Sequence, residues 1–179
     1  RLKDMFRAFG AITEYPIEIK EVSGKFFENQ DFYLEAEAMS HGTPCNGYSF
    51  VLKKKVKIDK AKLRKFKIKP GKHLGLLKSG KPISYNGKKF KPKDLVYFSP
   101  GKKVTFILDT TLNKKLSSFA KDSDALVCEA SFSNELSAKA KEYGHLTSGE
   151  AGRIAKEAKV KKLFLVHISQ RHSKSFSMI

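Results

Sequence analysis

Tryptophan is absent from the 179 residues, cysteine occurs twice, and Asp+Glu number 18 against 36 Lys+Arg. Cys45 and Cys128 are too few for a disulfide scaffold and have no zinc-finger spacing, so reduced thiols are expected. Cys128 reads as core, and Cys45 as core in preference to a metal ligand. No apolar run approaches the roughly 20 residues of a membrane span, and no signal peptide is visible. A soluble, cytoplasmic protein with no membrane partner is the expectation. The shortage of acids leaves a formal net charge of +18. That field makes a small neutral metabolite a poor sole partner and favours a polyanion. The 40% of apolar residues, 14 Phe among them, suffice for one core of ordinary domain size and exclude a disordered tail or a collagen-like fibre. The chain begins at Arg1 rather than Met and stops at Ile179, so it reads as a piece of something longer.

The charge is concentrated. Between Lys53 and Lys103 there are 19 basic residues and two acids, Asp59 and Asp94, so residues 53–103 hold +17 of the total. Turn signals at Pro70-Gly71, Ser79-Gly80-Lys81-Pro82, Asn86-Gly87 and Pro100-Gly101 punctuate this stretch, and Phe66, Tyr85, Phe90, Tyr97 and Phe98 are interspersed. Asn86-Gly87, between Ile83-Ser-Tyr and Lys-Lys-Phe90, predicts a tight hairpin. The segment is expected to be a basic arm, folded partly on itself or on the body, that binds nucleic acid through phosphates. His73 within it reads as a phosphate contact or plain surface.

The remainder alternates strands and helices. Asp31 to Met39 has period two, with Phe32, Leu34, Ala36 and Ala38 on one face. Val104 to Leu108, Ala125 to Cys128 and Leu163 to Val166 read as further strands, and Asn134 to Tyr143 and Ser148 to Lys159 as helices, the first stopped by Gly144. Thr147-Ser-Gly-Glu150 fits a capping box opening the second. An α/β layered fold follows. At or just past the end of each strand stands a group able to ligate a metal or move a proton: His41, Asp109, Glu129 and His167. Rigid strands can hold such groups at a common rim, and two imidazoles with a carboxylate suit zinc or a related divalent ion.

His41-Gly-Thr-Pro-Cys-Asn-Gly47-Tyr48, Leu108-Asp109-Thr110, Glu129-Ala130-Ser131-Phe132, His145-Leu146-Thr147 and His167-Ile168-Ser169-Gln170-Arg171-His172, in that order, resemble the motifs of ribonuclease Z. That family is the tRNA 3′-processing endonuclease of the metallo-β-lactamase superfamily, and the resemblance runs from about Glu35 to Arg171. It implies an αββα sandwich, of which residues 1–179 would be mainly the C-terminal half, with the arm at 53–103 protruding. It also implies two zinc ions per complete site, with His41, Asp109 and His167 as ligands and Asp109 bridging. Glu129 and His145 would act together at the leaving group. Arg171 would clamp phosphate, Thr147 would lie at the substrate, and Lys69, Lys72, His73 and Lys78 would belong to an exosite arm gripping precursor tRNA. A homodimer is implied as well.

Leu108, Ser131, Leu146 and His172 stand where the family has Gly, Thr, Ser and Tyr. These changes leave the proposed chemical groups in place. The family's His-x-His-x-Asp-His motif, which supplies most ligands of the first metal, does not occur in this sequence. The chain is therefore expected to be inactive alone and to need an N-terminal half, either in cis or supplied in trans. The alternatives are an RNA-binding module without catalysis and another phosphodiesterase of the superfamily.

Overall fold

The computed structural model describes residues 18–170. Arg171 and His172 lie outside the described residues. The strand β1 (Gly24–Glu28) pairs antiparallel with β2 (Phe32–His41), which turns at Gly42 into β3 (Thr43–Leu52). Gly42 has φ 70°, a left-handed conformation that glycine adopts without a Cβ penalty. The segment read as basic then contributes β4 (Lys55–Ile58), α1 (Lys60–Lys65), α2 (Leu74–Lys78), β5 (Ile83–Tyr85), β6 (Lys88–Phe90), α3 (Pro92–Leu95) and β7 (Val96–Ser99). The chain returns through β8 (Lys102–Ile107), α4 (Lys114–Phe119), β9 (Ala125–Glu129), α5 (Ser137–Tyr143), α6 (Ser148–Glu157) and β10 (Leu163–Val166).

A six-stranded sheet in the order β1-β2-β3-β8-β9-β10 organises the body, antiparallel up to β8 and parallel from β8 to β10. The strand expected to end at Met39 runs on to His41, because its partner β3 pairs with it residue by residue to the tip. The Thr-Pro-Cys-Asn-Gly run, which has the composition of a loop, forms the first half of that partner. The helix expected from Asn134 begins instead as a 3₁₀ turn, Asn134–Leu136, where the Asn134 side chain is held by the Gly149 N–H at 2.9 Å. The one expected to reach Lys159 ends at Glu157, and Lys159 turns left-handed at φ 54°.

Helices cover one face of the sheet. Ile107, Leu116, Leu126, Leu146 and Ile154 are at most 1% exposed in this core, each side chain contributing about 1.5–3 kcal/mol by burial. Cys128 is sealed there as expected, and burial, reinforced by the neighbouring Glu129 carboxylate, pushes its thiol up to about 12. The hydroxyls of Ser49, Thr105 and Ser123 satisfy one another within the layer, at 2.9 and 2.8 Å. Among the described residues, no helix or second sheet covers the opposite face. Register puts Ala36, Tyr48, Phe106, Val127 and Phe164 in one row across five strands, and Tyr48, Phe106 and Phe164 are 44%, 40% and 51% exposed. The apolar alternation read in β2 belongs to this open face, and Met39 of the other parity enters the helix-covered core.

The basic segment folds on itself. Leu63, Ile68, Leu77, Ile83, Phe90 and Leu95 form a separate apolar core. The expected hairpin closes at Asn86 and Gly87, with φ 49° and 74°, which is the type I′ requirement. Its connection to the sheet is the β4–β7 ribbon, where Ile58 faces Val96.

Asp124 ties the strand starts together on the side away from His41. Its carboxylate accepts from Lys161 Nζ at 2.8 Å, Lys102 Nζ at 3.0 Å and the Lys103 N–H at 2.9 Å. The Lys161 bond is the largest cause of a carboxyl held well below the usual carboxylate range. A depressed folded value stabilises the fold above the ordinary carboxylate pKa of about 4, and that contribution is lost as pH falls through the lower folded value. Asp124→Asn is accordingly expected to cost about 1 kcal/mol at neutral pH. Thermal melts should show the gap between wild type and variant narrowing below about pH 3. A gap independent of pH would mean that the lysines contribute nothing.

Candidate active site

Side chains from five separate stretches converge where β2, β8, β9 and β10 end. His41 stands at the tip of the β2–β3 hairpin, Asp109 beyond β8, Glu129 closes β9, His145 follows α5 and His167 follows β10. The rings of His41 and His145 are 4.7 Å apart between centroids, and those of His145 and His167 are 5.1 Å apart. Asp109 Oδ1 lies 3.4 Å from His167 Nδ1 and 4.0 Å from His145 Nδ1. Donor atoms of His41, Asp109 and His145 fall within 4.8 Å of one another, as do those of Glu129, His145 and His167. His145 is common to both groups.

Backbone geometry at the rim is unusual. Asp109 and His167, neither of them glycine, adopt φ 45° and 57°. Left-handed conformations at such residues cost of order 1 kcal/mol and persist where surrounding contacts enforce them. Around Asp109 the enforcing contacts are the Cys45 thiol, which donates to its carbonyl at 3.3 Å, and the Thr111 N–H, which donates to Ser40 at 2.7 Å. Burial is the largest cause that raises the Cys45 thiol, and Asp109 adds to it, so this cysteine stays protonated.

Glu129 is fully buried and organises the floor. Its Oε1 accepts from the Thr110 N–H at 2.7 Å and its Oε2 from the Ser131 hydroxyl at 2.8 Å, while His145 Nδ1 lies 3.1 Å from both oxygens. The His41 ring is held from outside, its Nδ1 donating to the Gly144 carbonyl at 2.8 Å. Gly144 has φ 78°, and a Cβ there would come within 3.0 Å of that nitrogen. Beside the imidazoles lies an open hollow lined by Ser131, Phe132, Tyr143, His145 and His167.

Thr147 is 2% exposed, and its hydroxyl accepts from the Glu150 N–H at 3.2 Å in the expected capping box, so it shapes α6 from inside. Lys69, Lys72 and Lys78 are exposed on the basic body, away from the rim. His73 there is half-buried against Tyr85, with ring centroids 5.3 Å apart. Sequence reasoning passed over Ser131 and Gly144 as functional residues. Ser131 had a usable signal, since it lies two positions after Glu129 and so points to the same side of an extended chain. The reach of Gly144 to His41 spans 103 residues and had none.

A divalent metal fits the donor set. The Asp109 Oδ1 atom is buried without a hydrogen-bond partner, an arrangement that is costly unless a cation completes it. Imidazole nitrogens beside it are ordinary zinc ligands.

This is the rim of a metallo-β-lactamase-type sheet. Human tRNase Z, short form, superposes with a TM-score of 0.51 at 21% identity, over 83% of this chain and 41% of that one. A diphosphatase from the PhnP family gives 0.50 at 14% identity, over 99% and 47%. No protein-family model matches the chain. In sequence, it is 34% identical over 174 residues to ribonuclease Z of Nanoarchaeum equitans, covering 97% of this chain and 55% of the relative. To ribonuclease Z of Sulfurisphaera tokodaii it is 32% identical over 178 residues, or 99% and 59%. The chain thus spans little more than half the length of these relatives, and the resemblance to ribonuclease Z read from the ordered motifs extends along nearly all of it.

Gly144→Ala should lower stability by about 1–2 kcal/mol through its positive φ and the displaced His41 ring. Urea denaturation measures this, and an unchanged midpoint would show that Gly144 does not hold the ring.

Proposed function

We propose that this chain forms the C-terminal half of a cytoplasmic, zinc-dependent endoribonuclease that removes the 3′ trailer from tRNA precursors. The orphaned carboxylate oxygen of Asp109 among converging imidazoles, in a chain similar to ribonuclease Z, carries the reading. His41, Asp109 and His167 would hold two zinc ions together with ligands from outside this sequence. When bound, the metal supplies a water acidic enough to be hydroxide near neutral pH and polarises the scissile phosphate.

The chain's own residues do the remaining work. His145 keeps Nδ1 on Glu129, so its Nε2 is the free ring nitrogen, which in the doubly protonated imidazolium form can give a proton to the departing ribose 3′ oxygen. The hollow bounded by Phe132 and Tyr143 offers aromatic surface for a base next to the cut. The basic body carries its lysines on a separately cored unit joined at the end of β3 opposite the His41 tip. It would grip the tRNA through backbone phosphates, so shape would govern binding and salt would weaken it. The open aromatic row of the sheet supports a second β layer as the covering element, since parallel strands are normally covered on both faces. That layer would bring the missing histidine motif, in cis or from a separate polypeptide, and the completed unit would dimerise.

The test mixes this chain with the part of the Nanoarchaeum equitans relative that it does not match, adds zinc, and follows cleavage of a tRNA precursor. Trailer removal is expected from the mixture and from neither part alone. His41→Ala, Asp109→Ala and His167→Ala should each reduce it about 100-fold or more. RNA binding without cleavage by a folded pair would favour the non-catalytic module.

Ile58 and Val96 are register partners, so residues 59–95 can be replaced by a two-residue turn without breaking the ribbon. In the complemented enzyme this excision should abolish cleavage of the tRNA precursor and spare hydrolysis of a small phosphodiester. Equal loss of both would argue against a binding role for the basic body.

A further inference from the structure

The hydrogen bonds at the rim determine where each imidazole keeps its proton. A backbone carbonyl only accepts, so His41 must hold its proton on Nδ1 to bond Gly144, leaving Nε2 bare. A carboxylate only accepts as well, so His145 must be protonated on Nδ1 to bond Glu129, and its neutral ring again has Nε2 bare. His167 differs, because its Nδ1 lies 2.7 Å from the Ser131 hydroxyl, which can donate or accept. Asp109 Oδ1 makes no hydrogen bond to it despite the 3.4 Å separation.

Ser131 has one proton to give. Its oxygen also lies 2.8 Å from Glu129 Oε2, where only a donor satisfies a carboxylate. The other groups on Glu129 are the Thr110 N–H, which can only donate, and the His145 Nδ1–H. With the serine proton committed to Glu129, the bond to His167 must run from its Nδ1–H to the Ser131 oxygen.

We propose that Ser131 is a positioning residue that locks the neutral His167 ring in the Nδ1–H form, so that all three imidazoles keep their proton on Nδ1 and have Nε2 as the bare nitrogen. The hydroxyl joins the candidate ligand His167 to the Glu129–His145 pair through one continuous chain of bonds. Ser131 is 4% exposed, so water cannot readily take over its part. The use of the bare His167 nitrogen as a zinc ligand rests on the proposed function, whereas the assignment of the proton does not.

The proton is read directly from imidazole ¹⁵N shifts of the ¹⁵N-labelled, metal-free chain under mildly alkaline conditions, with His167 assigned by comparison with His167→Gln. Wild type and Ser131→Thr, which keeps the hydroxyl, should show a protonated Nδ1 and a pyridine-like Nε2 at His167. Ser131→Ala should move that residue toward the other tautomer while His41 and His145 stay unchanged. Zinc titration by calorimetry should weaken about tenfold in Ser131→Ala and recover in Ser131→Thr. A wild-type His167 protonated on Nε2 would overturn the proposal, because the serine would then be donating to the histidine. That spectrum decides the matter even if Ser131→Ala does not fold. The expected tautomers without zinc binding would uphold the role of Ser131 and count against the metal reading.

Discussion

A single buried carboxylate organises this rim. Glu129 has no exposed surface, and its oxygens are met by a backbone amide from the turn after β8, a hydroxyl from its own strand extension and an imidazole from the start of the α6 region. An uncompensated charge at that depth would be severely destabilising, so the donors and the carboxylate require one another. Because each donor comes from a different segment, satisfying Glu129 also fixes where β8, β9 and the loop between α5 and α6 end relative to one another. The candidate ligands inherit their placement from that constraint: Asp109 immediately precedes Thr110, and His167 rests on Ser131.

Around this centre the molecule separates its tasks physically. The helix-covered face of the sheet is sealed and apolar, with its few hydroxyls paired internally. The rim is polar and strained, with left-handed Asp109 and His167. The basic body has its own core and joins the sheet through one two-stranded ribbon, which follows the Leu52 end of β3, opposite the hairpin tip at His41. The fourth region, the aromatic row exposed among the described residues, is unusual for a sheet with parallel strands.

Much of this could be read from the sequence because short-range chemistry was strong at particular places. The Asn86-Gly87 turn needs left-handed residues and has them, and the Thr147–Glu150 box places reciprocal donors at a helix start. Polar residues terminating apolar runs marked Asp109, Glu129 and His167. Where composition and pairing disagreed, local reading fell short. The stretch from Thr43 to Gly47 has loop-like residues yet forms a strand, because β2 offers it a complete ladder. The isolated charge of residues 53–103 with its interspersed aromatics suggested an arm folded partly on itself, and the apolar set from Leu63 to Leu95 forms the core of that unit.

The sequence by itself determined the α/β class, the resemblance to ribonuclease Z and the identity of the groups that could bind metal, since these depend on residue type, order and spacing along the chain. The tertiary structure alone decided that His41 is steadied by Gly144, that Ser131 joins Glu129 to His167, and that Tyr48, Phe106 and Phe164 share one exposed row of the sheet. Those facts depend on distances between residues far apart in the chain, which periodicity and propensity do not encode.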